Sequence, residues 1–393
     1  MTATIYQTLD QHRQDPDQLL DRLIEHLRSQ RRAVELFEAL KMRSRHRMGL
    51  PPAAGENEPS RDDATERELE QGLIEACREV GPMLIADGQI AQGWMYLRPT
   101  GEFEIARQSL ADVEIDDENY DEMIQVLLHE GVDIGRGYSA VLERQGTCNS
   151  ITLFEQSLVQ RPLQDRRTAG KILLDHLYAE LLQAVKNDLQ NKGETVDPDS
   201  DLITVLESHP KLLDGGGYHQ DTTHISSTVQ VAQCLDDPQS IQKAWELTQY
   251  GVRLDHRLQY PGEEPFRDLY RAYAIFFSVL QDRDREAGLR YFRQKAEQVD
   301  ASEHGTGAIE AYVDLLSRTG QGEKAIDEVI RLLPEGVPPQ RVVPRLLDLA
   351  SELPEEPRAT AFEKIARFCQ QQGDLLGYAV TLHAASGNVT ESA

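Results

Sequence analysis

No run of about 18 apolar residues occurs anywhere in the chain, and Met1 to Asp10 lack the basic start and apolar stretch of a secretory signal. Neither a membrane span nor export by that route is expected. Cysteine is scarce: Cys77, Cys148, Cys234 and Cys369 stand singly, without a C-x-x-C pair for zinc or a dense disulfide framework, so a reducing, cytoplasmic setting is expected. Positive charge is also short, with 41 Lys and Arg against 67 Asp and Glu, a formal net charge of −26. A surface of that sign repels nucleic acid and anionic lipid at long range, which argues against both as general partners. Hydrophobic residues are not lacking. At 39%, beside 27% charged, they place the 393 residues among folded chains, as two or three domains or one elongated repeat array.

One stretch departs from the acidic balance. Arg28, Arg31, Arg32, Lys41, Arg43, Arg45 and Arg47 face only Glu35 and Glu38, so the segment either docks on the acidic body, to be released by salt, or holds a phosphate. It lies in residues 16–47, where Leu19, Leu20, Leu23, Leu27, Leu36 and Leu40 predict one helix, with Asp15 as N-cap and Pro16 in the first turn. An N-terminal helical arm is thus expected over 1–48. Pro51, Pro52, Gly55 and Pro59 give 49–64 the composition of a linker.

Helical periodicity returns over 65–190, with an internal duplication. In 84–101 an apolar helix ends at Gly88, Gly93 precedes Trp94, and Gly101 closes the unit. In 127–146 the same places are taken by Gly131, Gly137 before Tyr138, and Gly146. Glycine suits both the left-handed helix end and a close helix crossing. A long helix is predicted over about 166–189. The connection 191–220 is polar and then glycine-rich at Gly215, Gly216 and Gly217; with no G-x-x-x-x-G-K-[ST] present, it reads as a turn rather than a phosphate cradle.

From 221 to 393 the chain reads as helix pairs. Ile309, Tyr312, Val313, Leu316, Gly320, Ala325, Val329 and Leu332 recur with the spacing of a two-helix unit. So do Phe362, Ile365, Ala366, Cys369, Gly373, Tyr378, Leu382 and Ala385, and more partially Thr228, Val231, Ala232, Leu235, Ala244 and Gly251. This grammar resembles the tetratricopeptide-like helical repeats, whose unit is roughly 34 residues. It departs from them where Val313 and Tyr378 occupy places that take small residues, and where Pro334 comes early. The resemblance implies an all-α fold of stacked antiparallel helix pairs, a TPR-like α-solenoid.

The densest polar cluster is Tyr218-His219-Gln220-Asp221-Thr222-Thr223-His224. His219, Asp221 and His224 are suitable donors for a divalent transition metal such as zinc, iron or manganese. The plainer reading of Asp221 is an N-cap, and of His224 a packed histidine on the stripe of Thr228, Val231 and Leu235. His129 is a further candidate ligand, although H-E-x-x-H is absent because Asp133 stands where the second His belongs. Trp94, Tyr138 and Tyr218 are either core or the lining of a groove that receives a peptide.

Two functions are compatible with these residues. The repeat grammar and the absence of a strong catalytic motif favour a helical-repeat binding scaffold for a protein or peptide partner. The polar cluster admits instead a metal-dependent enzyme, a hydrolase or oxygenase, with a His/Asp site between the two helical halves.

Overall fold

The computed structural model describes residues 4–53, 61–334 and 337–387, and among these there is helix and turn but no β-strand. The chain divides into two compact units, Met1–Ser150 and Ile151–Ala393. The first holds α1 (Ile5–Gln11), α2 (Pro16–Ser29), α3 (Ala33–Arg47), α4 (Asp63–Ala86), α5 (Ile90–Leu97), α6 (Phe103–Leu110), α7 (Tyr120–Ile124) and most of α8 (Ile134–Leu153), which is broken by a kink at Gly146. The second holds α9 (Leu163–Asn191), α10 (Leu202–Ser208), α11 (Thr222–Val231), α12 (Pro238–Arg253), α13 (Leu269–Leu280), α14 (Arg285–Gln298) and α15 (Ala301–His304). It continues with α16 (Gly307–Arg318), α17 (Gly322–Leu332), α18 (Val343–Ser351), α19 (Glu355–Gln371) and α20 (Leu375–Gly387).

Aspartate starts many of these helices, because a short carboxylate can take an N–H that the first turn leaves unpaired. Asp15, Asp62, Asp201, Asp221 and Asp237 accept from the backbone of Gln18, Thr65, Thr204, Thr223 and Ser240.

In the first unit the segment expected as one helix over 16–47 is two. The chain turns at Gln30–Arg32, where Arg31 adopts φ 54° and the Arg32 N–H returns to the Leu27 carbonyl. A left-handed non-glycine residue is disfavoured by about 1–2 kcal/mol. Folding α2 back on α3 offsets this by burying Ile24 and Leu27 with Leu36 and Leu40. The same core takes in Ala76, Val80 and Leu84 of α4, so the N-terminal arm is built into the unit rather than held off it. Its basic groups do meet acidic ones: Arg28 pairs with Glu79 and Arg31 with Asp87, each at 2.6 Å. Of the expected linker, residues 54–60 lie outside the described residues.

The two glycine series take matching conformations. Gly88 and Gly131 end their helices at φ 81° and 85°, and Gly101 and Gly146 close their units at 69° and 79°. Gly93 and Gly137 sit where a second helix crosses the first. A Cβ on Gly93 would stand 2.7 Å from the Gly81 carbonyl oxygen, and one on Gly137 would stand 3.0 Å from Leu128 Cβ.

The second unit is a stack of helix pairs. From α11 to α20 each helix packs on the next, the four-residue α15 excepted, and α11 with α13, α17 with α19 and α18 with α20 add contacts one place further. One continuous core runs from Leu174 to Cys369, thickened at Phe266, Tyr273, Phe276 and Phe292, with Phe266 and Tyr273 stacked at 3.9 Å. Of the residues expected to carry the repeat, Tyr312, Leu316, Ala325, Phe362, Ile365 and Cys369 are buried in it, whereas Leu382 is 49% exposed. The connection 191–220, expected as a boundary, lies within this unit, since α9 packs on α11 and α12.

Candidate functional site

Two helices and a turn of the second unit meet at the polar cluster. α9 brings Asp188, α12 brings Tyr250, and the glycine-rich turn before α11 delivers His219, whose side chain is 9% exposed. The His219 backbone N–H donates to Tyr250 Oη at 2.9 Å, which leaves the phenol's own hydrogen free to donate to Nδ1 at 3.0 Å. Nε2 therefore carries the ring hydrogen and donates to Asp188 Oδ2 at 3.0 Å. Lys192 at 2.7 Å, then His219, hold the Asp188 carboxyl below the usual carboxylate range. Burial pushes the Tyr250 hydroxyl well above its ordinary value.

Asp221 is turned to a different task. Its Oδ1 accepts from the Thr223 N–H at 2.8 Å and from Thr223 Oγ1 at 2.6 Å, capping α11, and these bonds keep its pKa low. His224 is half-buried one turn on, and Thr228 of its stripe is fully buried. His129 is exposed and belongs to the first unit. Among the described residues no group of three or more His, Cys, Asp or Glu side chains is arranged to hold a metal ion. Both ring nitrogens of His219 are already engaged by protein groups.

The aromatic candidates separate. Trp94 is buried against Phe103 at 5.5 Å in a core with Ile85 and Ile90, and Tyr138 is wholly buried with its hydroxyl donating to the Ser150 carbonyl at 2.9 Å. Each follows a crossing glycine, and the close approach of helices that the glycine allows is what draws the neighbouring ring inside. Neither offers a face to a partner. Tyr218 is 58% exposed.

A deeper buried carboxylate went unnoticed in the sequence. Glu246 on α12 accepts from Tyr178 Oη at 2.5 Å, Gln242 Nε2 at 2.7 Å and the Ile203 N–H at 3.3 Å, while the Leu202 N–H donates to Tyr178 Oη at 3.1 Å. Burial, then the bond to Glu246, pushes the Tyr178 hydroxyl up. The group is satisfied on every side and ties α10 to α9 and α12, so its work is structural.

The concave feature best suited to a ligand lies elsewhere in this unit. A groove of about 580 Å³ opens between α16, the end of α17 and the start of α18, floored by Ile309, Val313, Val329, Leu333, Val337 and Val342. Arg341, Arg345, Glu310 and Asp314 are the charged residues of its lining. Asp314 is taken by Arg318 at 3.2 Å and lies 4.0 Å from Arg345, and Glu310 accepts from Thr306 at 2.6 Å. A polar depression of about 540 Å³ beside Tyr291, Gln298 and His304 is less promising, because Glu264 and Lys295 within it satisfy each other at 2.8 Å. Ile309, Val313 and Val329 appeared in the sequence only as repeat positions. The usable signals were Val313, too large for its place, and an Arg pair four residues apart beside Val337 and Val342.

The geometry defines an all-α protein of stacked helix pairs, and no helix among the described residues is long and apolar enough to cross a membrane. No protein-family model, no curated protein and no solved structure matches the chain.

Proposed function

We propose that this chain is a binding scaffold, a divergent tetratricopeptide-like repeat whose α16–α18 groove receives a segment of a protein or peptide partner. The observation that carries the reading is the groove itself: about 580 Å³ lined by six apolar aliphatic side chains, with Arg341 and Arg345 among the charged residues beside them. Apolar anchors in such a floor supply the binding energy, and Arg341 and Arg345 select for a carboxylate beside them. The stacked pairs supply a rigid frame, so little ordering entropy is lost on the scaffold side.

The test is selection of peptides from a displayed random library on the full-length chain, with affinities then measured by calorimetry. Selected peptides are expected to combine bulky apolar residues with Asp or Glu, and to weaken at least about tenfold, 1.4 kcal/mol, against Ile309→Asp or Arg341→Glu. Peptides that bind both variants as well as the wild type, or a library that yields none, overturn the groove as the binding site.

A further inference from the structure

What a lining residue can offer a ligand is what it does not already give to the protein, and the polar groups of the α16–α18 groove differ in this respect. Asp314 is shared by two cations, Arg318 at 3.2 Å and Arg345 at 4.0 Å. Glu310 has one oxygen engaged by the Thr306 hydroxyl at 2.6 Å. Gln233, brought into the same lining by the 3-10 turn Ala232–Cys234 after α11, is different. Its Oε1 accepts from the Tyr273 hydroxyl at 3.0 Å, while its Nε2 meets no acceptor among the described residues. The amide is also held in place. Tyr273 is 4% exposed and stacked on Phe266 at 3.9 Å, and Arg318 donates to the Gln233 main-chain carbonyl at 2.8 Å. Turning the amide over would leave the buried Tyr273 hydrogen without an acceptor, so Oε1 stays with the tyrosine and two Nε2 hydrogens remain for a ligand.

We propose that Gln233 is a main-chain reader: its Nε2 donates to a backbone carbonyl of the bound segment, which therefore lies in the groove as an extended chain and not as a helix. The inference rests on the groove as the binding site and adds the form in which the partner is taken. A helix uses its main-chain carbonyls for its own N–H groups and would meet Gln233 with none to give along its length. An extended chain leaves each carbonyl to be satisfied by its surroundings. Its side chains alternate, so every second one can enter the apolar lining while the backbone passes the amide. Gln233 then responds to the path of the chain and not to its sequence, which the apolar lining and Arg341 read. Tyr273 touches no ligand; it is a positioning residue that acts through Gln233.

Calorimetry on the full-length chain tests this, with library-selected peptides synthesised as C-terminal amides and retained only if Ile309→Asp weakens them. Gln233→Met keeps the length of the side chain and removes its donors. It should weaken every such peptide by about three- to tenfold, whatever the peptide's sequence. Tyr273→Phe should weaken them as well, and should have no further effect in the Gln233→Met background, a coupling that loss of stability alone would not produce. A third arm needs no variant: α-aminoisobutyrate, which favours helix, placed at the centre of the peptide should weaken binding. Peptides that depend on Ile309 yet bind Gln233→Met as tightly as the wild type, or that bind more tightly with aminoisobutyrate, overturn the extended chain and leave the groove standing. Peptides indifferent to Ile309→Asp overturn the groove and this inference with it.

Discussion

The carbonyl oxygen of Gly81 on α4 occupies the space that a side chain on Gly93 of α5 would need, 2.7 Å from the ideal Cβ position. Backbone cannot move aside as a flexible side chain can, and Ile85 Cγ1 closes the other flank at 2.5 Å. Gly93→Ala should therefore push the helices apart and cost about 1–3 kcal/mol in denaturant unfolding of the first unit. Gly137→Ala, whose nearest contact is 3.0 Å, should cost less. Equal, negligible effects at both sites would mean that the crossing is looser than described.

The arm formed by α2 and α3 is held mainly by apolar packing, and its ion pairs to Glu79 and Asp87 join partly exposed side chains. Exposed pairs contribute at most about 1 kcal/mol and are screened by salt. After proteolytic cleavage within residues 54–60, the N-terminal fragment should co-elute with the remainder in low and high salt alike. Release by salt would restore the electrostatic docking that the sequence suggested.

Burial raises the hydroxyl pKa of Tyr178, Tyr250, Tyr270 and Tyr273 above the ordinary value near 10. Because the folded values exceed the unfolded one, the stabilisation from these protonated hydroxyls is full below about pH 10. It is lost as pH climbs through the folded values. Alkaline titration followed by tyrosinate absorbance should show these four hydroxyls ionising only together with loss of helix.

Removing the Glu246 carboxylate strands Tyr178 Oη, Gln242 and the first turn of α10 at once. Glu246→Ala should cost at least about 1–3 kcal/mol. Amide exchange should quicken first in α10, a helix of seven residues too short to persist without its neighbours. Tyr178→Phe, which leaves the carboxylate and its other donors in place, should be milder.

Asp221 distinguishes a cap from a metal ligand. As the cap of α11 it should tolerate Asn within a few tenths of a kcal/mol and lose about 1 kcal/mol as Ala. Elemental analysis of tag-free protein completes the comparison: stoichiometric zinc, iron or manganese that falls in Asp221→Asn would revive the metal-dependent enzyme.

The fold class was legible because helices announce themselves in local spacing: apolar residues recurring every three or four positions, and Asp15 and Asp221 standing where caps belong. The duplicated glycines were legible for the same reason, since their conformations are local demands. The break at Arg31 was not, because neither glycine nor proline marks it and the packing of α2 on α3 decides it. The buried fate of Trp94 and Tyr138, and the meeting of His219 with Asp188 and Tyr250, depend on which helices cross, information spread over 31 residues or more in the His219 case. Grooves are harder still: Ile309 and Val342 line one space only because α16 and α18 lie on either side of the end of α17.

The neighbour-to-neighbour packing from α11 to α20 also sets an order of events. Each helix finds its main support in the one or two that precede it in the chain, so loops close over short distances and little searching entropy is lost at each step. As the chain emerges from the ribosome, a helix can dock on a surface that already exists and in turn present one to the next.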